Sequence, residues 1–310
     1  MTRRGIVLFG LMAVIWGIPY LLIRVAVSEI SPATLVFGRT SIAALILVPI
    51  ALTRADYRAV LARWRWVVAF AVIEMGVPWV LLGSAEQEIP SSLAGLLVAG
   101  VPLVATVVAV ATGGRDRIGR EGVFGLLVGL VGVAAVVGVN LGSSNVAALV
   151  AMAVVVVGYA VGPAIMARRL GGLSNVSVMA LSLSLCAIVY APIAYAQRPE
   201  VVPSPAALGA VLVLGIVCTA AAFLVFWALI DVVGPVRATV VTYLNPAVAA
   251  LLGVLVLNET LTPGMGIGFV LVIAGSFLAA RPTRVTTQAR AVIPPDRLPA
   301  DLGDQTEAPV

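Results

Sequence analysis

The sequence contains no histidine and no lysine, so its 19 basic residues are all arginine. Without imidazole there is no histidine metal ligand, no histidine general base and no side chain whose ordinary titration falls near neutral pH. Only two cysteines occur, Cys186 and Cys218. Both lie within apolar runs and lack the spacing of a metal site or a disulfide framework, so they are expected to be packing residues. Charged residues make up only 11% of the chain. A soluble domain of this length could not dissolve with so few, which excludes the ordinary soluble enzyme and binding classes.

Apolar residues fill the space left by those absences. They form 61% of the chain, the mean hydropathy is +1.13, and they come in blocks. No Asp, Glu or Arg interrupts residues 89–114, 122–167, 170–197 or 201–230. A helix needs about 20 apolar residues to cross a hydrocarbon core of roughly 30 Å. The expected fold is therefore an all-α integral membrane protein of ten transmembrane helices, near 6–27, 34–53, 66–84, 91–111, 122–139, 147–167, 175–196, 206–229, 235–257 and 264–280. Pro and Gly punctuate the joins, as at Ser31-Pro32, Ile89-Pro90, Gly171-Gly172 and Thr262-Pro263-Gly264. Arg3 and Arg4 before an apolar stretch resemble a signal peptide, but the stretch is too long and lacks a small-residue cleavage site, so it reads as a retained first helix. Residues 281–310, rich in Pro and acidic at their end, read as a disordered cytoplasmic tail.

Arginine sets the orientation, because cytoplasmic segments retain it. One alternating set of segments holds Arg3 and Arg4, then Arg54, Arg58, Arg63 and Arg65, then Arg115, Arg117 and Arg120, then Arg168 and Arg169, and four more in the tail. The opposite set holds Arg198 alone. Both termini are expected in the cytoplasm, N-in and C-in, in a multi-pass cell membrane, read here as a bacterial plasma membrane. The basic pI of 9.8 thus reports membrane orientation; no nucleic-acid partner is implied.

The two halves also align. Trp16-Gly17 falls on Val157-Gly158, Pro49 on Pro192, Pro102 on Pro246, Gly125 on Gly268 and Gly132 on Gly275. Each unit, 5–140 and 146–280, carries five spans. An odd number makes the second copy enter from the other side, giving two inverted-topology repeats, the architecture of transporters that rock around a site at the repeat interface.

Residues 12–45, MAVIWGIPYLLIRVAVSEISPATLVFGRTSIAAL, and 234–279, ending LNETLTPGMGIGFVLVIAGSFLA, carry a resemblance. The ordered set Trp16-Gly17, Arg24, Pro32 and Arg39, with Pro246, Glu259 and Gly275 near the end, resembles the EamA family of the drug/metabolite transporter superfamily over roughly residues 6–280. The resemblance implies a transporter of small metabolites such as amino acids, an exporter or exchanger working by alternating access around a central cavity. It implies no enzymatic activity and no cofactor, and no metal site is expected. Arg115 stands where the second repeat has Glu259, so one role cannot serve both positions.

Ionisable groups inside a bilayer cost at least a few kcal/mol and need a partner, water or a route to the surface. Glu74 is the deep carboxylate among the spans. It is expected to bind substrate or exchange protons, the candidate coupling ion, or else to pair with Arg39. Arg24, near the outer end of the first span, can snorkel to the headgroups. Arg237 reads as an interfacial anchor, and Glu259 as a charge favourable to the start of the tenth helix. Trp16, Tyr20, Trp79, Tyr159, Trp227, Tyr243 and Asn245 are the candidates for facing a solute, and Gly17, Pro102 and Pro246 belong to the family-like framework. Pro19, Pro78, Pro102, Pro192 and Pro246 remove backbone donors and expose carbonyls that a bundle or wet cavity must satisfy. The first, third, fourth and ninth spans are therefore expected to line the pathway. Two other classes compete: a non-transporting scaffold or receptor, against which the repeats argue, and an intramembrane lipid-modifying enzyme, which would need converging catalytic groups that the spans do not offer.

Overall fold

The computed structural model describes residues 2–53, 57–111, 120–138, 146–234, 238 and 240–279. Among these every regular element is helical. We label the long helices α1 (Arg3–Val27), α2 (Pro32–Leu52), α3 (Trp64–Glu88), α4 (Ser91–Ala111), α5 (Arg120–Gly138), α6 (Val146–Arg169), α7 (Asn175–Ala196), α8 (Pro205–Val233), α9 (Val240–Leu257) and α10 (Pro263–Ala279). A short helix, Tyr57–Ala62, precedes α3. Eight of the long helices are long and apolar enough to cross a membrane; α5 and α10 stand outside that count and pack on each other. Arg54, Arg115, Arg117, Arg237 and the 281–310 tail lie outside the described residues.

Hydroxyl side chains start several of these helices. Ser31 accepts the Thr34 N–H with Pro32 opening α2, Ser204 accepts the Ala207 N–H with Pro205 opening α8, and Ser174 accepts the Ser177 N–H at the head of α7. Each satisfies a first-turn donor, and proline there costs no hydrogen bond.

Glycine then lets backbones meet. In α5, Gly125, Gly129 and Gly132 face Gly268 and Gly275 of α10 so closely that a Cβ built at Gly132 would lie 2.6 Å from the Val272 nitrogen. Lipid offers no hydrophobic drive between helices, so close van der Waals contact across small residues takes its place. Gly17 has the same part between α1 and α9, where a Cβ would meet Val248 at 2.5 Å.

The principal pairings are α2 with α7, α5 with α10, α4 with α9, α1 with α8 and α9, and α6 with α3 and α4. Exchanging α1–α5 for α6–α10 returns the same set, so the packing carries an approximate twofold relation between the halves. One difference breaks it. α3 also packs on α1 and α2, whereas among the described residues the counterpart α8 makes no comparable approach to α6 or α7.

The helix interruptions follow the same relation. α3 contains a π-helical turn at Ala71–Gly76 and α8 one at Ile216–Ala221. α4 breaks at residues 99–100 before Pro102, and α9 begins as a 3-10 turn, Val240–Tyr243, before Asn245 and Pro246. The proline reading thus holds for α3, α4 and α9. α1 runs through Pro19 and α7 through Pro192 without a break, and α8 is interrupted with no proline to announce it.

Candidate functional site

The π turn of α3 lies just before Pro78, whose ring cannot donate to the preceding turn. Two carbonyls of this turn also have partners on α7. Tyr190 Oη donates to the Gly76 carbonyl at 2.9 Å, and Cys186 Sγ makes a weak contact to the Ala71 carbonyl at 3.6 Å. Glu74 sits in this turn and points at Gly162 of α6, where any Cβ would overlap its side chain. Its Oε2 is buried and has no hydrogen-bond partner. A charge held that way is costly unless a proton or a hydrogen-bond donor meets it.

In α8 the π turn is held by Thr219, whose hydroxyl donates to the Leu214 carbonyl at 2.7 Å. The same oxygen accepts the Nε–H of Arg39 from α2, also at 2.7 Å. The Arg39 guanidinium lies 3.8 Å from the centroid of the Trp79 ring, a cation–π contact that strengthens where water is excluded. The indole of Trp79 hydrogen-bonds the Tyr159 hydroxyl, and Tyr159 feels the charges of both Arg39 and Glu74. Tyr20 is buried on the same group, within electrostatic reach of Tyr159, Glu86 and Arg39. Arg39, Glu74, Trp79, Tyr159 and Tyr20 therefore form one interior cluster.

That cluster differs from expectation in one respect. Arg39 and Glu74 share it without forming an ion pair: Arg39 is held by Thr219 and Trp79, and among the described residues no base holds Glu74.

Other residues take different places. α3 continues past the expected end at residue 84, so it buries a second carboxylate at the edge of this cluster, Glu86, which is 0% exposed with both oxygens unpartnered among the described residues. Arg24 Nη1 donates to the Glu86 backbone carbonyl and ties α1 to α3. Gln87 Nε2 adds a bond to the Val27 carbonyl at 3.2 Å. Glu259 does not serve α10. Its Oε1 accepts the Ser91 N–H at 2.8 Å and hydroxyl at 3.0 Å, and its Oε2 accepts the Ser92 N–H at 2.8 Å, so it caps α4. Gly253 leaves the room it occupies.

Trp16 packs on Phe223 and Phe226 of α8, at 6.4 and 4.8 Å between ring centroids, and Phe223 stacks on Trp227. This aromatic wall joins α1 to α8 within another buried cluster. Asn245, at the head of α9 beside Gly17, is buried with Oδ1 unpartnered. Tyr243 stands apart, in a groove of about 530 Å³ against Phe269, Ile273 and Phe277 of α10. Two members of the site were missed by sequence reasoning. Glu86 was lost by ending the span at residue 84, and Thr219 carries no charge to mark it in its apolar run; aligning the halves at an offset of 145 places Thr219 on Glu74.

A model of the EamA-like transporter family matches residues 3–138 and 146–281. No curated protein is significantly similar to the chain. A solved structure described only as a crystal structure of a protein resembles it with a TM-score of 0.64 at 22% identity, covering 90% of this chain and 97% of its own. That likeness concerns the fold.

Proposed function

Because the chain belongs to the EamA-like transporter family, we propose that it carries small metabolites such as amino acids across a bacterial plasma membrane, as an exporter or exchanger. The units 5–140 and 146–280 act as two inverted five-helix repeats, ten spans in all with both termini cytoplasmic, and they alternate access to a central cavity. The observation that carries this reading is the interior cluster on the two π turns: an unpaired carboxyl at Glu74 and a guanidinium at Arg39, with Trp79, Tyr159 and Tyr20 between them.

A solute with a cationic and an anionic group finds a counterpart for each there, and the aromatic faces take its apolar part. Trp16 and Asn245 extend the surface toward α8 and α9. Glu74 either binds the solute's cation or takes the coupling proton, so solute and proton compete for one carboxyl. The asymmetry of the packing supports alternation. The α1–α3 end is drawn shut by Arg24, Glu86 and Gln87, while among the described residues α6 and α8 make no comparable contact. Exchanging those two states would open one end as it closes the other.

Uptake into proteoliposomes, with a panel of radiolabelled amino acids and other metabolites and with or without a pH gradient, tests the function. Accumulation of one solute class supports it, and a panel that never exceeds empty liposomes counts against it. Orientation is tested in a cysteine-free background: an impermeant maleimide should label Ser143→Cys in intact cells and leave Ala59→Cys unlabelled, and the reverse pattern would overturn the topology.

A further inference from the structure

At the end of the molecule where α3 begins and α6 ends, arginines and tryptophans are arranged as a surface of their own. The chain enters α3 through Arg63-Trp64-Arg65-Trp66, four consecutive exposed residues, with Trp64 55% and Trp66 39% exposed. Arg63 does not reach outward. Its Nη1 donates to the carbonyls of Arg169 and Gly171, both at 3.1 Å, and fixes the entry of α3 to the turn after α6. Held there, the Arg169 guanidinium lies 4.5 Å from the Trp66 ring centroid, and that of Arg65 lies 5.7 Å from Trp64. Arg168 is exposed beside them. Residues 57–66 and 167–175 contain no Asp or Glu.

We propose that this corner is a binding site for an anionic phospholipid, with the phosphodiester of its headgroup taken by the guanidiniums gathered there, Arg65 and Arg169 among them, and its acyl chains along the first turns of α3. Stacking on an indole leaves the edge of a guanidinium free, and that edge matches two phosphate oxygens. The tryptophans place the pair at headgroup depth, and a basic corner between helix ends is where an acidic lipid gains most from the protein's charge. The surface commits to lipid rather than soluble phosphate because both indoles are exposed and need apolar cover.

Native mass spectrometry of the full chain released from micelles with equal phosphatidylglycerol and phosphatidylcholine tests the site. The wild type should retain phosphatidylglycerol preferentially, and Arg65→Gln with Arg169→Gln should lose that preference. Arg198→Gln should keep it, because Arg198 stacks on Tyr195 at the same 4.5 Å distance but stands without such a neighbour at the other end. Inorganic phosphate should not displace the lipid. A second readout covers misfolding: phosphatidylglycerol should raise the melting temperature of the wild type and not that of the double variant. Equal retention of the two lipids, unchanged retention in the double variant, equal loss in Arg198→Gln, or displacement by phosphate would each overturn the proposal.

Discussion

Glu74 and Thr219 occupy the same place in the two halves, each the fourth residue of a six-residue π turn, one in α3 and one in α8. One is an acid without a partner, and the other is a hydroxyl engaged on both sides, accepting from Arg39 and donating to the Leu214 carbonyl. The pseudo-twofold relation thus sets two similar frames and fills them with different chemistry. Thr219→Val should strand the Arg39 Nε–H and the Leu214 carbonyl. The expected loss is about 1–3 kcal/mol, the cost of leaving a buried polar group unmade, while Thr219→Ser should stay near wild type. Thermal unfolding in detergent separates the two variants.

Gly162 makes the room that Glu74 uses. Gly162→Ala places a methyl on the carboxyl, and overpacking of this kind costs about 1–3 kcal/mol. The variant should insert in the membrane and lose transport. Gly209→Ala meets open space and should be neutral or slightly stabilising, since alanine favours a helix by up to about 1 kcal/mol over glycine. Paired uptake and melting measurements on both variants check the contrast.

The long-range cap at α4 gives a local test. Glu259→Ala leaves the Ser91 and Ser92 N–H groups without their acceptor, so amide exchange at the first turn of α4 should rise. Stability should fall by about 1–3 kcal/mol. Faster exchange confined to the first turn of α10 would show that the charge serves that helix instead.

How far these features could be read in advance follows from the range of the interactions. The proline breaks in α3, α4 and α9 were legible because a missing N–H is a property of one residue. That Glu74 is a deep carboxylate was legible because it is an acid inside a long apolar run. The partners of Arg39 and Glu259 were not, since Thr219 and Ser91 are distant in sequence and no local pattern names them. The π turn in α8 was hidden for a related reason: a threonine side chain and an arginine from another helix stabilise it. Glu86 was missed at a helix end, the least certain part of any span assigned from hydropathy.

Glu29, between α1 and α2, binds the start of α8: Ser204 donates its hydroxyl to Oε1 at 2.5 Å and its backbone N–H to Oε2 at 2.6 Å. The Ser204 hydroxyl first and the backbone N–H second hold the Glu29 carboxyl below its ordinary range. The folded state therefore binds this proton less tightly than the unfolded state, which has the ordinary glutamate value of about 4.3. The tie should be complete at neutral pH, weaken as pH falls past that value, and be absent below the lowered folded value. The melting temperature of Glu29→Gln should lie below wild type at neutral pH and converge on it in acid. A gap that persists unchanged at low pH would rule out the carboxylate as its source.

Transport by Glu74→Gln, measured in proteoliposomes beside wild type for a solute the wild type carries, tests the central claim most directly. The amide keeps the volume and hydrogen-bonding capacity of the acid but cannot ionise. Its melting temperature should stay near wild type, because Arg39 already has Thr219 and Trp79 and is not stranded by the change. The account predicts a folded, inserted protein that has lost transport, or retains it without dependence on pH. A stable Glu74→Gln protein with wild-type transport and wild-type pH dependence would contradict it and move the site to the surfaces of Trp16 and Asn245.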